Sequence, residues 1–231
     1  ADHLFDGLKN KEKSVIYRHG FHYKNRYTLI ALCLLSALIA IILSFLIFDE
    51  KVIKIGLLLS FLSLAYFILL DIFKGKKYYL LQKEIVIAFI YISGIWFVPL
   101  IWHERMPDKI ILIVIVLLLL LAWGEGIMAS YYDYENDIKD NHISFTVLFG
   151  KTNTKYFLIT LHLLILIICI LTLFFTFSST YIIALILIAI VNLSLLSIIV
   201  FQKYFSKNEK YRIFGELTFW LFSLILVTDL F

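Results

Sequence analysis

The chain has 231 residues, of which 62% are hydrophobic and only 16% charged, with a formal net charge of +4 and a mean hydropathy of +0.94. Soluble domains lie nearer about 45–50% apolar and about 25% charged, so the composition excludes an ordinary soluble enzyme and predicts an integral membrane protein. No nucleic-acid partner is expected; the partner that composition demands is a lipid bilayer.

In chain order, the first 26 residues are polar and basic, opening on ADHLFDGLKNKEK, in which Asp2 and Asp6 stand four apart. Seven apolar runs follow: Tyr27–Phe48, Val52–Phe73, Ile85–Trp102, Ile110–Tyr132, Tyr156–Phe177, Thr180–Phe201 and Ile213–Phe231. Each has about 18 to 23 residues, enough to cross roughly 30 Å of hydrocarbon as a helix. They are too long for barrel strands and do not alternate. The expected fold is therefore all-α, a polytopic integral membrane helical bundle, with residues 1–231 forming a single domain. Tyr78, Tyr79, Trp102, Tyr156, Tyr204 and Tyr211 fall near run ends, as interfacial aromatic belts do. Cys33 and Cys169 lie inside apolar runs, where thiols serve as small core residues.

Most of the cations lie in alternate connections. Lys9, Lys11, Lys13, Arg18, Lys24 and Arg26 precede the first run, and Lys74, Lys76, Lys77 and Lys83 separate the second from the third. Lys139, Lys151 and Lys155 follow the fourth, and Lys203, Lys207, Lys210 and Arg212 follow the sixth. Lys51, Lys54, Arg105 and Lys109 are left for the other side. The positive-inside rule puts the richer side in the cytoplasm, predicting a multi-pass protein of the cell inner membrane.

Four acids fall within or near the runs: Asp71, Glu125, Glu216 and Asp229. Charge is costly in hydrocarbon, so such groups face a cavity or a partner. Asp71 and Asp229 are near run ends and are expected to reach the interface. Glu125, eight residues before Asp133 in AWGEGIMASYYD, shares roughly its helix face and points to a cavity there. Its neighbours Gly124 and Gly126 equally fit close helix packing, with Glu125 paired to an adjacent helix.

The stretch YYDYENDIKDNHISFTVLFGK, Tyr131 to Lys151, packs Asp133, Glu135, Asp137 and Asp140 between two apolar runs. If the preceding helix continues through it, Asp133 and Asp137 lie one turn apart on one face, and Asp140 can join them. Two carboxylates so placed repel, and a hard divalent ion such as Mg2+, which takes one or two carboxylates plus waters and substrate phosphates, suits them. A solvated loop between spans has a similar composition. The pair Asp2 and Asp6 has the same spacing and falls on the same predicted side, which suggests two jaws of one polyanion site.

Asp133-xxx-Asp137, followed by Ser144, Thr146 and VLFGK ending at Lys151, resembles the second aspartate-rich motif of the UbiA superfamily of intramembrane prenyltransferases. Asp2-xxx-Asp6 resembles the last two acids of that family's first motif, NxxxDxxxD. The order, the separation and the intervening helices agree over nearly the whole chain. In place of the Arg-Pro and small-residue stretch that often follows the first motif, this chain has SVIYRHGFHYKNR. The resemblance implies nine helices, seven of them present here, so upstream helices and the leading Asn are expected before Ala1.

The resemblance further implies magnesium-dependent transfer of a prenyl group from a prenyl diphosphate to an acceptor within the membrane. Asp2, Asp6, Asp133 and Asp137, with Asp140, would hold the metal. Lys9, Lys13, Arg18, Lys139 and Lys151 would donate to the diphosphate, and Glu125 would line the cavity. Departure of diphosphate leaves an allylic cation, which a dry chamber protects from water. Phosphatidyl transfer from a CDP-alcohol also uses membrane acids with divalent ions, but Asp6-Gly7-Leu8-Lys9 does not continue into that class's signature. A non-catalytic isoprenoid-binding protein or a transporter is the competing reading, the latter disfavoured by uninterrupted helices.

Overall fold

The computed structural model describes residues 24–72, 83–102, 107–139 and 143–224. Asp2, Asp6, Lys9, Lys13, Arg18 and Asp140 lie outside the described residues. Within them all regular structure is helical: α1 (Arg26–Ile47), α2 (Glu50–Ile72), α3 (Lys83–Trp102), α4 (Lys109–Lys139), α5 (Phe145–Phe149), α6 (Lys151–Phe174), α7 (Ser179–Val200), α8 (Gln202–Phe205) and α9 (Lys210–Phe219), with 3-10 turns at Lys207–Glu209 and Trp220–Leu224. Among the described residues each predicted apolar run lies mostly on helix, the last on α9 and the 3-10 turn that ends at Leu224. Five helices, α1, α3, α4, α6 and α7, are long and apolar enough to cross a membrane, and α2 adds 23 residues. A helix satisfies its own N–H and C=O groups, the condition hydrocarbon imposes on backbone.

The chain divides by contact into two units, residues 1–57 and 58–231, with the boundary inside α2. The first unit contains α1, 22 residues without a single buried side chain. Leu34, Phe45 and Leu46 are 67%, 64% and 76% exposed, a surface apolar all round of the kind that lipid covers.

The second unit is built on α4, which packs against α3, α6, α7 and α9. Leu117, Leu121, Ile127 and Met128 of α4 are fully buried, with Leu158 and Ile165 of α6 and Leu185, Ile188 and Leu195 of α7. In lipid these contacts act by close packing rather than by expelling water, so small residues matter at the crossings. Gly124 of α4 admits α6: a Cβ there would stand 3.3 Å from Leu161 Cδ2 and 3.4 Å from His162 Cε1. Gly215 admits α4 to α9, where a Cβ would meet Met128 Cε at 3.1 Å. His162 and Asn192, both fully buried, join α6 to α7. Asn192 Nδ2 donates to the His162 carbonyl oxygen at 2.9 Å, so its Oδ1 is left to accept from His162 Nδ1 at 2.7 Å.

With 31 residues, α4 is about 46 Å long, more than the roughly 30 Å of hydrocarbon. It is therefore longer than the apolar layer by several turns. Asp108 sets its other end, accepting the Ile111 N–H at 2.8 Å as an N-cap.

Candidate active site at the end of helix α4

Because α4 runs unbroken to Lys139, Asp133 and Asp137 stand one turn apart on one face. Both are half-buried. The condition on which their pairing depends in the sequence is met.

Asp133 is held at both oxygens. Tyr211 Oη donates to Oδ1 at 2.7 Å, and Arg212 Nη2 donates to Oδ2 at 2.7 Å. The Tyr211 ring stacks on Tyr132, centroids 4.3 Å apart and planes within 6°. Burial first, then the charge of Asp133, push the Tyr211 phenol well above its ordinary range, so it stays a donor at neutral pH. The two residues before Asp133 are also tied down: Tyr131 Oη donates to Gln202 Oε1 at 2.7 Å and Tyr132 Oη to the Ile198 carbonyl at 2.6 Å.

Asp137 faces the charges of Asp133, Lys83 and Glu84. Ser144 is buried beside it, its hydroxyl outside hydrogen-bonding geometry. From Ser144 the chain enters α5, whose first N–H, that of Phe145, donates to Glu84 Oε1 at 2.9 Å. A carboxylate at that end satisfies an orphan donor of the short helix. Ser130 and Thr146 share a hydrogen bond of 2.9 Å, pinning α5 against α4. Gly150, at φ +83°, then turns the chain into α6, a conformation that favours glycine. Lys151 follows with Nζ 5.7 Å from the Tyr131 ring and 5.8 Å from the Tyr134 ring, within cation–π range. Lys139, the last residue of α4, is exposed.

Glu125 lies where α4 meets α9, its Oε1 3.6 Å from the position of a Cβ on Gly215, and it feels the charges of Glu216 and Arg212. Gly126 faces Glu84, whose Cβ would be 3.5 Å from an added Cβ. The glycines that flank Glu125 thus serve helix crossings, Gly124 towards α6 and Gly126 towards α3.

Carboxylates at this position need a cation for a reason that lies in the helix itself. Asp137 sits in the last turn of α4 and Asp133 in the turn before, where the exposed carbonyls make the C-terminus partially negative. Arg212 offsets the charge of Asp133, whose oxygens accept from Tyr211 and Arg212. Hard carboxylate oxygens at one-turn spacing fit Mg2+, which completes its shell with water and phosphate. Among the described residues no group of three or more His, Cys, Asp or Glu side chains gathers as a metal site.

Three contributors are not apparent from sequence pattern. Tyr211 reads as a belt aromatic and Arg212 as a loop cation, and no pattern singles out Glu84. The available signal was that Arg212 and Glu84 each border a span on the side that holds the acidic stretch.

A family model described as the UbiA prenyltransferase family matches residues 1–224. Neither a curated protein nor a solved structure matches the chain.

Proposed function

The chain belongs to the UbiA prenyltransferase family, a family of multi-pass intramembrane enzymes, and from that premise we propose that it transfers the prenyl group of a prenyl diphosphate to an acceptor in the membrane, using Mg2+. The observation that carries this reading is the passage of α4 through Asp133 and Asp137, which sets two carboxylates on one face just beyond the bundle core. Asp133 and Asp137 would hold Mg2+, and Asp2, Asp6 and Asp140, which lie outside the described residues, are assigned the same task. When bound, the metal would neutralise the diphosphate and so ease its departure.

The chain's own residues do the rest. Lys151, steadied between Tyr131 and Tyr134, and Lys139 can donate to diphosphate oxygens as it leaves, and Lys9, Lys13 and Arg18 are assigned the same task. The span helices exclude water, so the allylic cation meets the acceptor rather than hydroxide. Glu125, on the Asp133 side of α4, is assigned to the wall of that chamber. The surplus of Lys and Arg on the motif side supports a cytoplasmic orientation in the inner membrane.

The test is to incubate the purified protein in lipid nanodiscs with labelled prenyl diphosphates of several lengths and extracted host lipids, with Mg2+ or with EDTA. Labelled lipid products that appear with Mg2+ and vanish with EDTA are expected, and mass spectrometry would identify the acceptor. Binding of prenyl diphosphate without any product overturns the transferase reading in favour of an isoprenoid-binding protein.

A further inference from the structure

We infer that Tyr211 and Arg212 of α9 are positioning residues for Asp133, so that the last helix, not α4 alone, sets the first carboxylate of the proposed metal site. The inference rests on the proposed function above. Four observations carry it. The two donors take one oxygen each, at 2.7 Å and 2.7 Å, which fixes the carboxylate's tilt as well as its place. They come from 78 and 79 residues further along the chain, so the contact is tertiary and not a by-product of helix periodicity. Tyr211 is buried, and the Arg212–Asp133 pair is largely so, with side chains 22% and 15% exposed; such a pair is shielded from the screening that weakens surface pairs.

The fourth observation is backbone. Asn208 and Glu209, directly before α9, both lie in the left-handed region, at φ 54° and φ 53°. For residues other than glycine that conformation is uncommon. Two consecutive left-handed residues reverse the chain after α8 and start α9 in the place that brings Tyr211 and Arg212 to Asp133. The stacking of Tyr211 on Tyr132 and the close passage of Gly215 at Met128 then hold α9 against α4 along its first turns.

The roles of the two donors differ. Tyr211 adds orientation without charge. Arg212 adds orientation and the positive charge that offsets Asp133 at a helix end unfavourable to anions. Partners that orient metal ligands typically alter affinity or activity about 10–100-fold when removed, and this is the size of effect expected here.

The experiment measures Mn2+ binding by electron paramagnetic resonance on the purified full chain in nanodiscs, with Mn2+ alone as the probe. Tyr211→Phe is expected to weaken binding about tenfold and to lower kcat more than KM for the prenyl diphosphate. Arg212→Lys, which keeps charge but not the planar fork, should show a partial loss; Arg212→Gln should lower kcat further, with Lys recovering part of it. In the Asp133→Asn background neither Tyr211→Phe nor Arg212→Lys should change Mn2+ binding again. Parental Mn2+ binding and kcat in Tyr211→Phe and Arg212→Lys, with Asp133→Asn defective, would overturn the positioning role and leave the metal site standing. Parental Mn2+ binding in Asp133→Asn would overturn both. If the position-211 and position-212 variants lose thermal stability but bind Mn2+ as the parent does, α9 is only a structural brace and the inference fails.

Discussion

The two ends of α4 each carry an aspartate held by a tyrosine from a distant helix, yet they solve opposite electrostatic problems. At the start, Asp108 accepts the Ile111 N–H and the Tyr181 hydroxyl, at 2.8 Å and 2.6 Å. Free N–H groups and the positive end of the helix dipole favour an anion there, so no cation is required. At the other end, Asp133 takes the Tyr211 hydroxyl in the same way but stands near the negative end of the dipole, with Asp137 one turn beyond. Arg212 supplies one positive charge, and Asp137 faces two further acids, Asp133 and Glu84, as well as Lys83. An aspartate at a helix start is a structural cap; two near a helix end are unfavourable unless positive charge offsets them.

The largest expected effect breaks the exit end. Asp133→Asn and Asp137→Asn keep shape while removing a ligand charge, and each is expected to reduce prenyl transfer at least about a hundredfold with the protein still folded, read by product formation alongside thermal denaturation. Parental turnover in both would leave the acidic end of α4 without a part in transfer, and the two ends of α4 equivalent.

The next variant acts on the middle of α4, on which the alignment of both ends depends. Gly124→Leu drives a side chain into Leu161 and His162, where even a Cβ is tight at 3.3–3.4 Å. It is expected to cost about 1–3 kcal/mol, seen as a lower unfolding temperature. Gly94→Ala, with nothing within 4 Å of the added Cβ, serves as the neutral control. A similar temperature loss in both would show that glycine itself, not the crossing, is what matters.

The smallest effect sharpens the entry end. The Tyr181 hydrogen bond first, then the backbone N–H of Ile111, hold the Asp108 carboxyl below its ordinary range. A carboxyl depressed in the folded state stabilises it at pH values above the ordinary carboxylate pKa of about 3.9 and loses that contribution as pH falls through the lowered value. Tyr181→Phe should therefore unfold slightly earlier than the parent at neutral pH, with the gap closing as pH drops below about 4. A gap that persists in acid would assign it to ring packing instead.

Much of the helical architecture was legible without coordinates, because a span must be about twenty apolar residues long and helical in hydrocarbon, and the runs met that demand at Tyr27–Phe48 through Thr180–Phe201. The pairing of Asp133 with Asp137 was legible conditionally, since a spacing of four gives one face only if the helix persists through YYDYENDIK. Tertiary structure decided that it does, with Tyr131 and Tyr132 tied to Gln202 and Ile198. It also decided which partners the acids have. Tyr211 and Arg212 reach Asp133 across 78 and 79 positions, and Glu84 reaches Phe145 across 61. Hydrophobic periodicity reports which face of a helix is apolar; it carries no record of which remote side chain meets that helix, because that depends on crossings set by residues such as Gly124 and Gly215 and on the reversal at Asn208 and Glu209.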